Sequence, residues 1–302
     1  MVFIADEGAQ FDAPLDLVWR YADGEGGYHG PAHTGSLRKF HWRQVTKNVG
    51  VWDGERRVRG RWRRFGGAVA DFRPLGTAIE DTIGATAGSK FFAIYTPLGG
   101  KTQADIYADY QSRAYSPAQL RSVVLEMHAG AFQEDVDRVR DFARSRNARR
   151  RSVRVATAGL HIRDVGSTFD APLDRLWEYL FDGSAHDGVH HSTRNGTFEK
   201  AYGRSFVYGA ERNIAGRWLK EKIRITPYRP LGFAYEWIQG PFRGSKMFYV
   251  YRPKGSKTQI DVHGHFESRE LGPARLERAV TAMLETDFRE DAPAIRKFAG
   301  AK

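Results

Sequence analysis

Two histidine pairs stand four residues apart in this chain, His29 with His33 and His186 with His190, and His191 follows the second directly. On a helix, residues i and i+4 share a face, so either pair could ligate a metal or move a proton near neutral pH. A zinc site needs at least three protein ligands, and neither cysteine nor a Glu-x-x-His run is at hand to complete one. Histidines bonded to backbone carbonyls fit the same spacing, so the structural, acid–base and metal readings all stay open, with no metal expected. His263 and His265 form a further pair inside an alternating segment. Alternate strand residues face opposite sides. Thr258, Ile260, Val262, Gly264 and Phe266 are therefore expected to line an interior. Gln259, Asp261, His263, His265 and Glu267 are expected to face water, the wrong side for a buried metal.

Aromatic side chains offer a different chemistry, recognition of an apolar molecule. Trp62 and Trp218, read in phase with Val58 and Gly60 or with Ile214 and Gly216, are expected to project inward as core or as a ligand platform. Tyr235, Tyr249 and Tyr251 could offer hydroxyls to a polar group on such a ligand. Serine-hydrolase elbows, phosphate-binding loops and dinucleotide fingerprints are missing, and no cofactor is expected. The chain has no cysteine, which excludes disulfides, thiolate metal sites and a cysteine nucleophile.

These residues need a frame. A chain of 302 residues, 41% hydrophobic and 27% charged, suggests two globular domains with cores of their own. No run of about 18 apolar residues predicts a membrane span. The opening MVFIADEGAQF has no basic stretch followed by an apolar one, so a cytoplasmic location is expected. The formal charge of +11 invites a nucleic-acid reading. Yet residues 1–142 hold 18 basic and 18 acidic side chains, and six arginines, with no acid, crowd into residues 143–159. An excess concentrated in one short segment reads as a charge-extended linker rather than a basic face on a domain, making nucleic acid an unlikely partner.

The chain is written twice. Phe11–Trp19, FDAPLDLVW, returns as FDAPLDRLW at Phe169–Trp177, 158 residues on. From Gly60-Arg61-Trp62 against Gly216-Arg217-Trp218 the offset is 156 and runs without a gap, giving 33 identities in 83 positions. Arg73-Pro74-Leu75-Gly76 matches Arg229-Pro230-Leu231-Gly232, and Lys101-Thr102-Gln103 matches Lys257-Thr258-Gln259. The expected organisation is a domain over 1–143, an Arg-rich linker over 144–159 and a second domain over 160–302. In each copy a short strand leads to Asp12 or Asp170, placed to cap a short helix with Pro14 or Pro172 in its first turn. Several antiparallel strands follow, then one long amphipathic helix marked by Leu120, Val124, Met127, Ala131, Val136, Val139 and Phe142 or by Leu276, Val280, Met283, Phe288, Ile295 and Phe298. The expected class is α+β, a curved antiparallel sheet wrapped around a long C-terminal helix, present in tandem.

That order, with the FDAPLD motif, Gly209-Ala210-Glu211-Arg212, Trp218–Ile223, Arg229-Pro230-Leu231 and Tyr235-Glu236-Trp237, resembles the START-like, helix-grip superfamily. The resemblance implies a cavity between sheet and helix that binds lipids, polyketides or other aromatic molecules. Copy one departs from the pattern, with Asp53-Gly54 for Gly209-Ala210 and Trp62-Arg63-Arg64-Phe65 for Trp218–Glu221. Three functions follow as expectations. The first is a non-covalent binder of a hydrophobic or aromatic small molecule. The second is an enzyme similar to polyketide aromatase/cyclases, with His186, His190, His29 or His33 assisting cyclisation and loss of water. The third is an interaction module using the basic linker. Candidate ligand contacts are Trp62, Trp218, His191, Tyr235, Tyr249, Tyr251 and Phe266.

Overall fold

The computed structural model describes residues 2–23, 37–145, 159–186, 189–200 and 203–300. The chain divides into two compact units, Met1–Thr157 and Ala158–Lys302. In the first, β1 (Val2–Phe11) and α1 (Leu15–Ala22) precede six strands: β2 (Leu37–Thr46), β3 (Val49–Val58), β4 (Arg61–Phe72), β5 (Gly76–Ile83), β6 (Lys90–Leu98) and β7 (Lys101–Tyr110). The long helix α2 (Pro117–Arg144) closes it. The second unit repeats this with β8 (Leu160–Phe169), α3 (Leu173–Phe181), a 3-10 turn (Gly183–His186) and β9 (Thr193–Lys200). There follow β10 (Phe206–Ile214), β11 (Arg217–Tyr228), β12 (Gly232–Gln239), β13 (Lys246–Lys254), β14 (Lys257–Phe266) and α4 (Pro273–Gly300).

Each unit holds one seven-stranded antiparallel sheet, ordered β1-β7-β6-β5-β4-β3-β2 and β8-β14-β13-β12-β11-β10-β9. The first strand lies beside the last, so the consecutive hairpins bend round a single long helix. This is the helix-grip arrangement, in duplicate. The start of α2 is legible in its residues: Ser116 and Gln119 form a reciprocal capping box, with Pro117 in the first turn. Leu120, Val124, Val139 and Phe142 are buried beneath it, the three-to-four spacing of a helix packed on one face. Among the described residues no helix is long and apolar enough to cross a membrane.

The repeated motifs are repeated because they meet. Lys101 pairs with Asp12 at 2.8 Å and Thr102 Oγ1 donates to the Ala13 carbonyl at 2.9 Å. The second unit makes the same clamp, with Lys257 on Asp170 at 2.7 Å and Thr258 on Ala171 at 2.9 Å. Trp19 Nε1 donates to Pro74 O and Trp177 Nε1 to Pro230 O, each at 3.0 Å. These bonds tie the first short helix to the sheet. They also correct the capping assignment. Pro14 and Pro172 are themselves the N-caps, with no side-chain cap bond. Asp12 and Asp170 lie two residues before the caps and serve the lysine instead.

Two facing expectations are corrected as well. Trp62 and Trp218 do not point inward. Their hairpins turn through two residues with positive φ, Arg59-Gly60 and Ala215-Gly216, so Val58 pairs with Arg61 and Ile214 with Arg217. Counting alternate residues straight through such a turn slips the phase by one. Trp62 therefore lies opposite Arg57 and under the Arg38 guanidinium at 4.4 Å, and Trp218 opposite Asn213 and under Arg194 at 4.3 Å.

The polar set of β14 does not face water either: Asp261, His263 and His265 are each at most 1% exposed. Asp261 accepts from the Gly166 amide at 2.9 Å, where β8 bulges, and from Arg252 Nη1 at 2.8 Å. In the first unit Asp105 likewise accepts from the Gly8 amide at 2.8 Å. A polar side chain read as solvent-facing is here the partner of a neighbouring strand. His265 Nδ1 lies 3.1 Å from His161 Nε2. A Cβ at Gly159 would sit 2.3 Å from the His265 ring, so only glycine lets the backbone approach that closely. His265 Nε2 is buried without a hydrogen-bond partner. Burial, with the neighbouring His161 and Lys246 charges, holds the His265 pKa down to about 3. The Arg-rich linker expected over 144–159 falls largely on residues 146–158, outside the described residues; Arg144 closes α2.

Candidate functional site in the second unit

The inward faces of β10 to β13 and one face of α4 bring polar groups together inside an otherwise apolar core. Arg212 on β10 donates from Nε to Glu221 Oε1 on β11 at 2.7 Å, and from Nη1 to Asp287 Oδ1 on α4 at 2.9 Å. Trp237 on β12 donates its Nε1 to the other Glu221 oxygen at 3.2 Å. Glu221 is 1% exposed. Burial pulls the Arg212 guanidinium pKa down, but the Asp287 and Glu221 carboxylates outweigh it and the net shift is upward. The guanidinium stays charged and saturated by its own protein.

One helical turn beyond Asp287, Asp291 shares its face and accepts from the Tyr179 hydroxyl at 3.1 Å. His190 Nε2 lies 3.5 Å from the same Asp291 oxygen, and His190 Nδ1 lies 3.5 Å from Glu290 Oε2. Glu290 also accepts from the amides of His191 and Ser192 and, at 2.8 Å, from the Ser192 hydroxyl. That carboxylate fastens the segment ahead of β9 to α4 and so delivers His190 to Asp291. Burial pushes the Asp291 carboxyl up to about 6; His190 and the Tyr179 bond oppose this, and Asp287 and Glu290 add to it.

Above this cluster the tyrosines converge. Tyr235 and Tyr249 rings are 5.0 Å apart, and Tyr249 and Tyr251 6.5 Å. Burial raises all three phenol pKa values, and the Asp287 and Asp291 charges raise those of Tyr235 and Tyr249 further. Each stays protonated and able to donate. Tyr235 and Tyr249 pack against the core of the unit, yet both retain uncovered surface. Tyr251 is 2% exposed and packs edge-on to Trp177.

Of the other residues singled out from sequence, His29 and His33 lie outside the described residues. His186 ends the 3-10 turn, and its side chain lies outside the described ones. His190 joins the cluster. His191 contributes its backbone amide and is exposed. Phe266 is wholly covered, 5.3 Å from Trp237 and 6.1 Å from Phe242, and forms the floor under Trp237. Among the described residues no group of three or more acidic or histidine side chains is arranged to hold a metal ion.

Arg212, Glu221, Asp287 and Asp291 were not singled out as site residues from sequence. One signal was present: Asp287 and Asp291 are carboxylates at i and i+4 on the helix face that carries Met283 and Val280, where a water-facing role is the less natural reading.

No protein-family model matches the chain, and no curated protein matches it. Among solved structures the chain is similar to the di-domain ARO/CYC BexL from the BE-7585A biosynthetic pathway, at 11% identity over all of both chains, with a TM-score of 0.44. It is similar to the di-domain ARO/CYC StfQ from the steffimycin biosynthetic pathway, at 15% identity over 99% of this chain and 100% of that one, with a TM-score of 0.45. A START superfamily protein from Mycobacterium smegmatis matches 45% of this chain and 97% of its own, at 12% identity and a TM-score of 0.40. The fold assignment itself rests on strand order and helix placement: two helix-grip units in one chain.

Proposed function

We propose that the second unit binds an apolar or aromatic small molecule carrying a hydroxyl or carbonyl group, in the space between its sheet and α4. The observation that carries this reading is the pair Tyr235 and Tyr249, packed against the core with rings 5.0 Å apart but only half-buried. Apolar walls supply the driving force for uptake, and protonated phenols beside Asp287 and Asp291 supply the orientation. The probe 2-naphthol, titrated while tryptophan fluorescence is followed, is expected to bind the whole chain. Removing both hydroxyls together, Tyr235→Phe with Tyr249→Phe, keeps the ring volume and should weaken binding about tenfold, one hydrogen bond's worth. A wild-type chain that neither binds 2-naphthol nor carries a co-purified ligand in native mass spectrometry would refute the reading.

A second reading adds turnover, cyclisation or dehydration of a bound polyketone. It is favoured by Asp291, a carboxyl pushed up to about 6 with His190 at 3.5 Å. A half-buried acid–base group near neutrality suits proton removal from an activated methylene and proton delivery to a departing hydroxyl. Asp291→Asn and His190→Ala should each lower turnover of a poly-β-ketone thioester at least a hundredfold while 2-naphthol affinity changes by less than threefold. Parallel losses of turnover and affinity would leave only the binding role.

A further inference from the structure

The first unit repeats the frame of this site but not its charges. On β3, Arg56 pairs across the hairpin with Arg63, and Gly54 with Phe65. On β10, Arg212 pairs with Leu219, and Ala210 with Glu221. Arg56 therefore occupies the place of Arg212, and Phe65 the place of Glu221. Position 131, the counterpart of Asp287 at the offset of 156, is an alanine. Both carboxylates that saturate Arg212 are gone, and the arginine has been kept.

Among the described residues, what surrounds Arg56 does not replace them. Its guanidinium lies over the Phe65 ring, 4.5 Å from the centroid. Its Nε is buried and has no hydrogen-bond partner, and among the described residues no carboxylate pairs with it. Asp81, which stands where the second unit has Trp237, is 5% exposed and accepts from Thr86 Oγ1 at 2.6 Å. Asp135 accepts from Tyr21 at 2.7 Å, as Asp291 accepts from Tyr179. Burial pulls the Arg56 pKa down, with Tyr110, Asp81, Asp135 and Glu134 opposing it at a distance. Arg56 is half-buried, and withdrawing its Nε from water without a bonded partner is unfavourable. The cation–π contact with Phe65 offsets only part of that.

We propose that the interior of the first unit binds an apolar carboxylate, an aryl or alkyl acid whose carboxylate bonds to the Arg56 guanidinium while its hydrocarbon part packs against Phe65. The fork of N–H donors matches a carboxylate in two-point geometry. A single negative charge fits better than a phosphate dianion, because Asp81, Asp135 and Glu134 lie around the same cation and repel further charge. The two units would thus divide their ligands by charge, the second unit, with its arginine already neutralised, taking the uncharged molecule. This rests on the reading that such interiors admit ligands.

The test sets 2-naphthoate against 2-naphthol on the full chain. Wild type is expected to bind 2-naphthoate at a site that Arg56→Met weakens at least thirtyfold and that Tyr235→Phe with Tyr249→Phe leaves unchanged. Phe65→Glu, which supplies the counter-charge the second unit has, should close the site to the same extent. Arg56→Met should also leave the urea midpoint of the ligand-free protein unchanged or raise it, since it removes a half-buried charge whose Nε has no partner, so loss of binding in that variant is separable from misfolding. Binding of 2-naphthol without 2-naphthoate, or 2-naphthoate binding untouched by both variants, overturns this inference alone. Binding of neither probe overturns it together with the proposed function.

Discussion

Glu221→Ala is expected to destabilise the second unit by about 3–5 kcal/mol, the usual consequence of removing one partner from a buried ion pair. Glu221 accepts from Arg212 and from Trp237 Nε1, so its removal strands two buried donors at once. Asp287 remains on Nη1 but does not reach the Arg212 Nε bond. The double variant Glu221→Ala with Arg212→Met should recover most of the loss, because it removes the stranded charge along with its partner. Urea unfolding followed by tryptophan fluorescence measures both. A single-variant loss below about 1 kcal/mol would mean that water reaches the guanidinium freely, and the enclosed network described above would be wrong. The first unit offers the natural comparison. There Phe65 stands in the place of the acid, and Arg56 lies over its ring, 4.5 Å from the centroid.

The second large effect is on pH dependence. His265 has its pKa lowered from the ordinary 6.5 to about 3 by burial, then by His161 and Lys246. A histidine that resists protonation in the folded state but accepts it in the unfolded one stabilises the fold above pH 6.5. That contribution falls as pH drops from 6.5 toward 3, at about 1.4 kcal/mol per unit and about 4–5 kcal/mol in all. Burial also lowers the pKa of His161, the ring 3.1 Å away, which adds to the loss with the same sign. His265→Asn removes the titration. Its unfolding free energy, measured in urea at pH 7.0 and at pH 4.5, should fall less between the two than that of the wild type, by about 3 kcal/mol. Equal falls in both proteins would show that the histidine pair is hydrated. Asp291 runs the other way. Its carboxyl is raised to about 6, so it favours the folded state most below pH 4 and loses that contribution as pH rises through 6. The two slopes partly cancel between pH 4 and 6, and this is why the variant, not the wild-type profile, isolates His265.

The tyrosine cluster and the charged cluster were legible to different degrees. Tyr235, Tyr249 and Tyr251 were named for their hydroxyls with the side they face left open, and the facing came only with the fold, which sets the Tyr235 and Tyr249 rings 5.0 Å apart. Even so, the same alternation failed for Trp62 and Trp218, where a two-residue turn resets the phase. It failed again for Asp261 and His265, where a strand bulge and a second histidine use the side that looked free. His190 was named for its spacing from His186, but its partners in the fold are Glu290 and Asp291, a hundred residues away in the chain.

Residue order alone was enough to establish the duplication, the α+β class, the long closing helix and the absence of cysteine chemistry. Each of these is a matter of composition, or of a period that repeats within a few residues or at one constant offset. Tertiary packing decided which arginine keeps its acids, which histidine is denied its proton, and which carboxylate is lifted toward neutrality. Those outcomes depend on enclosure and on pairings such as Arg212 with Asp287, 75 residues apart, and the strength of a charge interaction is set by the medium around it, which exists only once the sheet has bent round the helix.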